Sequence, residues 1–194
     1  TANSLNNRKV VLYAPTWREF GHRTGFFPFP DFDADKLLQF LESNDILLLL
    51  RGHKEEMKNA GGLFSGNALL NKRIIPANQD VYPDVVEILP YVDVLVTDYS
   101  GMYFDFLPYN KPIIFIPYDL DQYNTYKGLL FPYNDYMVGA KVFSQSDFLA
   151  ELEKGFRLPL EDSGRRIEMT NLFYLHQDTK ACERIYKNIK KITQ

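Results

Sequence analysis

Short uninterrupted apolar runs alternate along the chain with longer stretches whose apolar positions recur every three or four residues. Six short runs predict strands: Val10–Ala14, Ile46–Arg51, Arg73–Pro76, Val94–Thr97, Ile113–Ile116 and Lys141–Phe143. Several are apolar throughout, as a strand must be when helices cover both faces of its sheet. Asp33 and Asp35 open a helix whose dipole they complement, with Leu37, Leu38 and Leu41 facing inward. Pro83 and Asp84 open a second, with Val85, Val86 and Leu89 inward and Pro90 as its stop. A short helical segment, Met102–Leu107, follows the fourth strand. Ser144 and Asp147 have capping-box spacing ahead of Phe148, Leu149 and Leu152. The last helix runs from about Asp178 to Ile192, with Ala181, Ile185 and Ile189 at intervals of four. Strands alternating with helices predict an α/β fold, a doubly wound, Rossmann-like parallel sheet in a single domain over residues 1–194.

Two long connections interrupt that rhythm. Residues 15–32 hold Pro15, Gly21, Gly25, Pro28 and Pro30, and residues 117–140 hold Pro117, Gly128, Pro132 and Gly139 among tyrosines and phenylalanines. Both leave strands, so both emerge at the carboxyl edge of the sheet, where open α/β folds bind ligands. Long loops in a compact domain are commonly functional. The 13 Tyr and 15 Phe, against one Trp, favour contact surfaces with an apolar body and a polar tip.

Charge narrows the partners. With 22 Lys and Arg against 25 Asp and Glu, the net charge is −3, which does not attract nucleic acid, so any anion must be held by a local site. The single cysteine, Cys182, excludes an internal disulfide and a cysteine zinc cluster. The longest apolar run, Ile46–Leu50, falls far short of a membrane span. Residues 1–9 have no apolar core of the signal-peptide kind, and Thr1-Ala2-Asn3 lacks an initiator Met. The expectation is a fragment of a longer cytoplasmic polypeptide.

The chemistry concentrates where strands end. Val94-Leu95-Val96-Thr97-Asp98-Tyr99-Ser100-Gly101 runs from an apolar strand through small polar residues into the Met102–Leu107 segment. N–H groups at a helix start lack partners within the helix and carry partial positive charge, so a diphosphate there meets several donors. Gly101 lets the backbone approach closely. Asp98 or Ser100 could equally serve as an ordinary N-cap, worth about 1 kcal/mol, and the two roles are compatible. His53, in Arg51-Gly52-His53-Lys54, lies at the end of the second strand, placed to act as a base or, protonated, to neutralise a phosphate. Arg18 follows the first strand and reaches the same edge, unless it is held by Glu19 or another carboxylate. Lys127-Gly128 offers another phosphate contact or a solvated turn. His22 and His176 read as surface residues. Lys180, Arg184, Lys187, Lys190 and Lys191 read as a solvated face of the last helix. A Gly-x-Gly-x-x-Gly fingerprint, a Walker A loop, a Gly-x-Ser-x-Gly elbow and histidine pairs at metal-ligand spacing are all missing from the sequence. A phosphoacceptor receiver domain fails for want of an acidic cluster after the first strand, where Ala14-Pro15-Thr16-Trp17 stands.

These residues resemble a known family. Tyr13-Ala14-Pro15-Thr16-Trp17-Arg18, the His53 turn and Asp93-Val94-Leu95-Val96-Thr97-Asp98-Tyr99-Ser100 look like blocks of the CDP-glycerol glycerophosphotransferases. The order continues through Phe104-Asp105, Lys111-Pro112-Ile113-Ile114, Tyr118-Asp119, Tyr123, Lys127-Gly128 and Gln177-Asp178. Departures from the family pattern are His53-Lys54 for His-Pro, Ser100-Gly101 for paired serines, Lys127-Gly128 for Arg-Gly, Val138-Gly139 for Pro-Gly and Asp178-Thr179 for Asp-Gly. Lys127 keeps the charge but loses a bidentate fork. The resemblance implies the second half of a two-domain glycosyltransferase-B-type fold, holding CDP-glycerol or a related CDP-alditol such as CDP-ribitol, without cofactor. It implies transfer of alditol phosphate to an acceptor hydroxyl, with release of CMP, in teichoic-acid or capsular polymer synthesis. A polymer or lipid-linked acceptor would come through the absent N-terminal domain, at the inner face of the bacterial membrane, where the full-length protein would be peripheral. The isolated domain is expected to bind donor but not to catalyse. His53 becomes the catalytic candidate, and Arg18, Thr97, Asp98, Ser100, Gly101, Lys127, Gly128 and Asp178 the donor-binding candidates. The cytosine is expected near Ile75–Gln79. A nucleotide-sugar glycosyltransferase domain and a catalytically silent nucleotide-binding module remain the alternatives.

Overall fold

The computed structural model of the chain describes residues 8–18, 25–53, 57, 72–157 and 161–192. His22 and Lys54 lie outside the described residues. Strands β1 (Lys9–Tyr13), β2 (Ile46–Leu50), β3 (Ile74–Pro76), β4 (Val94–Thr97), β5 (Ile113–Phe115) and β6 (Ala140–Lys141) form one sheet in the order 3-2-1-4-5-6. Every pairing is parallel, with Val11 beside Leu48 on one side and Val94 on the other. This is the Rossmann order, and each strand expected from the pattern is present within two residues of its expected ends.

The sheet is covered on both sides, because alternate residues of a strand point to opposite faces. Val11, Tyr13, Leu48, Leu50, Val94 and Val96 pack with α1 (Ala34–Ser43) and α5 (Gln145–Gly155) on one face. Val10, Leu12, Leu47, Leu49 and Leu95 pack with α2 (Met102–Phe106) and the 3-10 turn Leu107–Tyr109 on the other. Each such side chain, fully buried, contributes roughly 1.5–3 kcal/mol. Asp33 caps α1 by accepting from the N–H groups of Asp35 and Lys36, and Ser144 caps α5 by accepting from that of Asp147. Leu37 and Leu41 are fully buried, and Leu38 partly so. Gly139 opens β6 at φ +151, where a Cβ would stand 2.2 Å from the Ile113 carbonyl oxygen. Only glycine lets the last strand start this close to β5.

Three expectations change. The helix at residues 83–90 is two 3-10 turns, Val85–Glu87 and Leu89–Tyr91; Leu89 is buried but Val86 is 49% exposed. Pro90 has no N–H to extend a helical ladder, so the segment tightens instead. In the connection after β1, Phe26, Phe27 and Phe29 are buried in the core with Phe148. The aromatic loop folds into α3 (Leu120–Tyr126) and α4 (Tyr133–Tyr136), and a helix the pattern did not announce, α6 (Ser163–Phe173), packs beside the 3-10 turn Leu107–Tyr109. The last helix, α7 (Ala181–Ile192), buries none of its residues, with Ile185 and Ile189 both more than half exposed.

Candidate functional site

The winding direction reverses between β1 and β4, and the chain leaves both strands at the same sheet edge. Asp98 joins the two exits. Its carboxylate accepts from the Thr16 N–H at 2.9 Å, the Thr16 hydroxyl at 2.7 Å and Arg18 Nη2 at 2.9 Å. Arg18 is 3% exposed, and its Nε and Nη2 also donate to Asp119, at 2.7 and 2.9 Å, while Nη1 donates to the Thr16 carbonyl. One guanidinium therefore ties together the segments that follow β1, β4 and β5. It also lies 5.0 to 5.4 Å from the ring centroids of Tyr99, Tyr118 and Tyr123. Burial works against its charge, but the hydrogen bond with Asp119 and the charge of Asp98 more than offset this and hold it firmly protonated. A buried charge kept this way is a positioning device more than a source of net stability. Thr97, fully buried, donates its hydroxyl to the Ala14 carbonyl at 2.8 Å and locks β4 to the β1 exit.

A cavity of about 280 Å³ opens above this frame, with Tyr99, Ser100, Gly101, Tyr123, Gly128 and Tyr133 in its walls. Tyr99 and Tyr123 stack with ring centroids 4.3 Å apart. Tyr99 donates its hydroxyl to Asp119 at 3.1 Å, and Tyr133 donates to the Asp98 carbonyl at 3.0 Å. Burial, reinforced by Asp119 for Tyr99 and by Asp98 for Tyr133, raises both phenols well above the ordinary value, so both stay neutral donors. Ser100 Oγ accepts from the Met102 N–H at 3.3 Å, a long cap, while the Tyr103 and Phe104 N–H groups bond to the Ser100 and Gly101 carbonyls. Among the described residues the N–H groups of Ser100 and Gly101 themselves meet no acceptor. Gly101 is already helical at φ −57, and a Cβ built on it would meet nothing within 4 Å. The fold itself does not require glycine there. Gly128 does need to be glycine, at φ +76 just past the end of α3.

The expected site residues thus separate into groups. Ser100, Gly101 and Gly128 line the cavity. Arg18, Thr97 and Asp98 form the buried frame beneath it, with their polar groups already bonded inside the protein. Lys127 is exposed at the end of α3, next to Gly128. His53 is exposed at the exit of β2, its ring 4.1 Å from that of Trp17, on the same sheet edge but outside the cavity lining. Asp178 is exposed ahead of α7, where it accepts from the Lys180 N–H and pairs with Arg184 at 2.8 Å. Those hydrogen bonds hold its carboxyl below the usual carboxylate range. His176 is exposed, and Arg51 donates to the Ala77 and Tyr82 carbonyls, stiffening the segment after β3. Sequence reasoning missed the stacking of Tyr99 on Tyr123 and the part played by Asp119. The tyrosine-rich loop was a signal for the first. For the second the Tyr118-Asp119 block and the carboxylate alternative for Arg18 were both on view, but nothing joined them, because Arg18 and Asp119 lie 101 positions apart. Among the described residues no group of three His, Cys, Asp or Glu could hold a metal ion, and no helix is long and apolar enough to cross a membrane.

A parallel sheet in Rossmann order, with a cavity walled mainly by aromatic and apolar side chains beside the exit of β4, is the doubly wound α/β architecture. The chain belongs to the CDP-Glycerol:Poly(glycerophosphate) glycerophosphotransferase family, whose model matches residues 1–191. It is 32% identical over 197 aligned residues to a teichoic acid glycerol-phosphate transferase of Staphylococcus aureus, covering 95% of this chain and 46% of that one. To the teichoic acid ribitol-phosphate polymerase TarL of the same organism it is 29% identical, covering 95% of this chain and 31% of the relative. The structure of the wall teichoic acid polymerase TagF superposes with a TM-score of 0.68 at 27% identity, over 99% of this chain and 47% of TagF. TagF has also been solved as a variant soaked with CDPG. The chain therefore spans between about a third and a half of the length of these relatives.

Proposed function

We propose that this chain holds the CDP-alditol donor of an alditol-phosphate transferase. The observation that carries the reading is the pair of N–H groups at Ser100 and Gly101 without an acceptor among the described residues, in the wall of a cavity beside the exit of β4. Unpaired amides at a helix start suit a diphosphate. Gly128 lines the same cavity, the exposed Lys127 beside it supplies a cation for the diphosphate, and the Arg18–Asp98–Asp119 frame keeps the three strand exits in register. His53 neutralises the phosphate or takes the acceptor's proton, and the nucleobase lies toward Ile75–Gln79. Asp178, committed to Arg184, acts by holding the start of α7.

In a polypeptide of the relatives' length, the acceptor hydroxyl attacks the alditol-bearing phosphorus, its bond to the CMP oxygen breaks, and CMP leaves. Catalysis of that kind rests on positioning and on charge stabilisation. Glycerol phosphate and ribitol phosphate are the transferred groups named for the relatives, and a cytoplasmic enzyme peripheral to the inner face of the membrane fits that role. The chain by itself should bind donor without elongating polymer, because positioning the acceptor can account for roughly 7–11 kcal/mol of a barrier. The test is calorimetric titration of the chain with CDP-glycerol, CDP-ribitol, CDP and UDP-glucose. Tighter binding of the cytidine ligands is expected; equal or reversed affinities would remove the assignment.

A further inference from the structure

A second cavity, about 470 Å³, lies at the opposite edge of the sheet from the switch point. Its floor is the amino-terminal start of β5 and β6, from Pro112 to Ile114 and Gly139 to Ala140. One wall is the end of α5, with Glu151, Lys154 and Arg157, and the other is the start of α6, with Glu161, Asp162 and Arg166. Because the strands are parallel, this edge is remote from every residue assigned to the donor. The volume falls within the range of small-molecule sites, roughly 300–1,000 Å³.

Arg166 sets this cavity apart. It is 2% exposed, its Nε donates to Asn110 Oδ1 at 3.2 Å and its Nη1 to the Glu161 carbonyl at 3.0 Å, but its buried Nη2 has no partner among the described residues. Among the described residues no carboxylate pairs with it, in contrast to the doubly paired Arg18. Burial lowers its basicity, and Asp162 offsets that only in part. An unpaired donor on a buried charge is costly, and in native proteins it normally meets an ion, a water or a ligand. A second observation points the same way. The eleven-residue helix α6 begins in this wall with Asp162 at φ +59 and no side-chain cap, so the positive end of its dipole is left uncapped there.

The carboxylates decide what kind of anion fits. Lys154 pairs with Glu151 at 2.5 Å and Arg157 pairs with Glu153, which leaves Glu161 and Asp162 facing the cavity beside Arg166. An anion that carries no hydroxyl would be repelled by them. A small phosphate ester that carries hydroxyls suits the mixture, with its phosphate against Arg166 and the start of α6 and its hydroxyls donating to the carboxylates. We infer that the cavity between α5 and α6 is a second binding site, for an alditol phosphate, either free or as one unit of a polymer chain. The anion follows from Arg166 and α6 alone; the alditol rests on the proposed function.

The test is NMR titration of the labelled chain with inorganic phosphate, glycerol 3-phosphate, glycerol and a short poly(glycerol phosphate), with and without saturating CDP. Glycerol 3-phosphate should move the amide signals of Ser163–Arg166 and Gly139–Ala140, more tightly than phosphate or glycerol, and CDP should not displace it. The oligomer binding more tightly than the monomer assigns the site to polymer, and the reverse assigns it to free ester. Arg166→Gln should weaken binding by about tenfold or more, the scale of one hydrogen bond to a charged group. Should that variant not fold, the titration of the unaltered chain decides alone. Signals at α6 that stay still, or shifts confined to Ser100–Gly101 and abolished by CDP, overturn the second site. Failure of CDP to bind while α6 responds would instead sink the donor reading and leave this anion site standing.

Discussion

Gly101→Ala separates a glycine kept for a ligand from one kept for the fold. The residue has φ −57 and ψ −17, so alanine can adopt its conformation without strain, and its Cβ would meet nothing within 4 Å. Replacing glycine at a compatible helical position restricts the unfolded chain and should raise stability by about 0.4–1 kcal/mol. Donor binding should move the other way. The added methyl stands at the cavity wall beside the two N–H groups that meet no acceptor among the described residues. A diphosphate held back from them loses part of two hydrogen bonds to a charged group, each worth roughly 1.5–3 kcal/mol. Affinity for CDP-glycerol should therefore fall at least about tenfold, or ~1.4 kcal/mol. Urea unfolding and calorimetry on the same preparation measure both effects. Gained stability with unchanged affinity would mean that the diphosphate does not approach Gly101, and the placement of the donor would be wrong.

Three further outcomes follow from the same geometry. Ser100→Ala should cost roughly 0.5–1 kcal/mol of stability through its long cap to Met102, and about the same in donor affinity; a fall in stability alone would make Ser100 a cap and nothing more. Arg18→Met strands the buried carboxylate of Asp98 and the nearly buried one of Asp119, so it should destabilise the chain by about 3–5 kcal/mol in chemical denaturation, and a loss under 1 would show that the frame is not held by this pair. His53→Ala, in a polypeptide of the relatives' length, should abolish most transfer while leaving circular dichroism unchanged, because the residue is exposed at the sheet edge, where its ring lies against Trp17; near-normal turnover would remove its role.

Much of the architecture was determined by the sequence acting locally. An apolar run too short for a helix and bounded by polar residues has little choice but a buried strand, so all six strands and the capped starts at Asp33 and Ser144 were legible. The turn from β4 into Ser100-Gly101 was legible for the same reason, since strand, small residues and helix lie side by side in the chain. Local rules gave out where a segment's partners are distant or few. The 83–90 stretch has a helical pattern, but Pro90 and the exposure of Val86 leave it as two tight turns. The Ile185 and Ile189 spacing announces an amphipathic helix and cannot say what the apolar face meets, and here both isoleucines stay more than half exposed. The tertiary structure alone decided the fate of the charged residues. Arg18 could be read as a ligand contact until two carboxylates 80 and 101 positions away claimed its guanidinium. Arg166, one arginine among many in the sequence, became distinctive only when folding buried it with one guanidinium nitrogen lacking a partner among the described residues. Hydrophobic periodicity is a property of neighbours, whereas the cost of burying a charge depends on which distant groups the fold brings within about 3 Å of it.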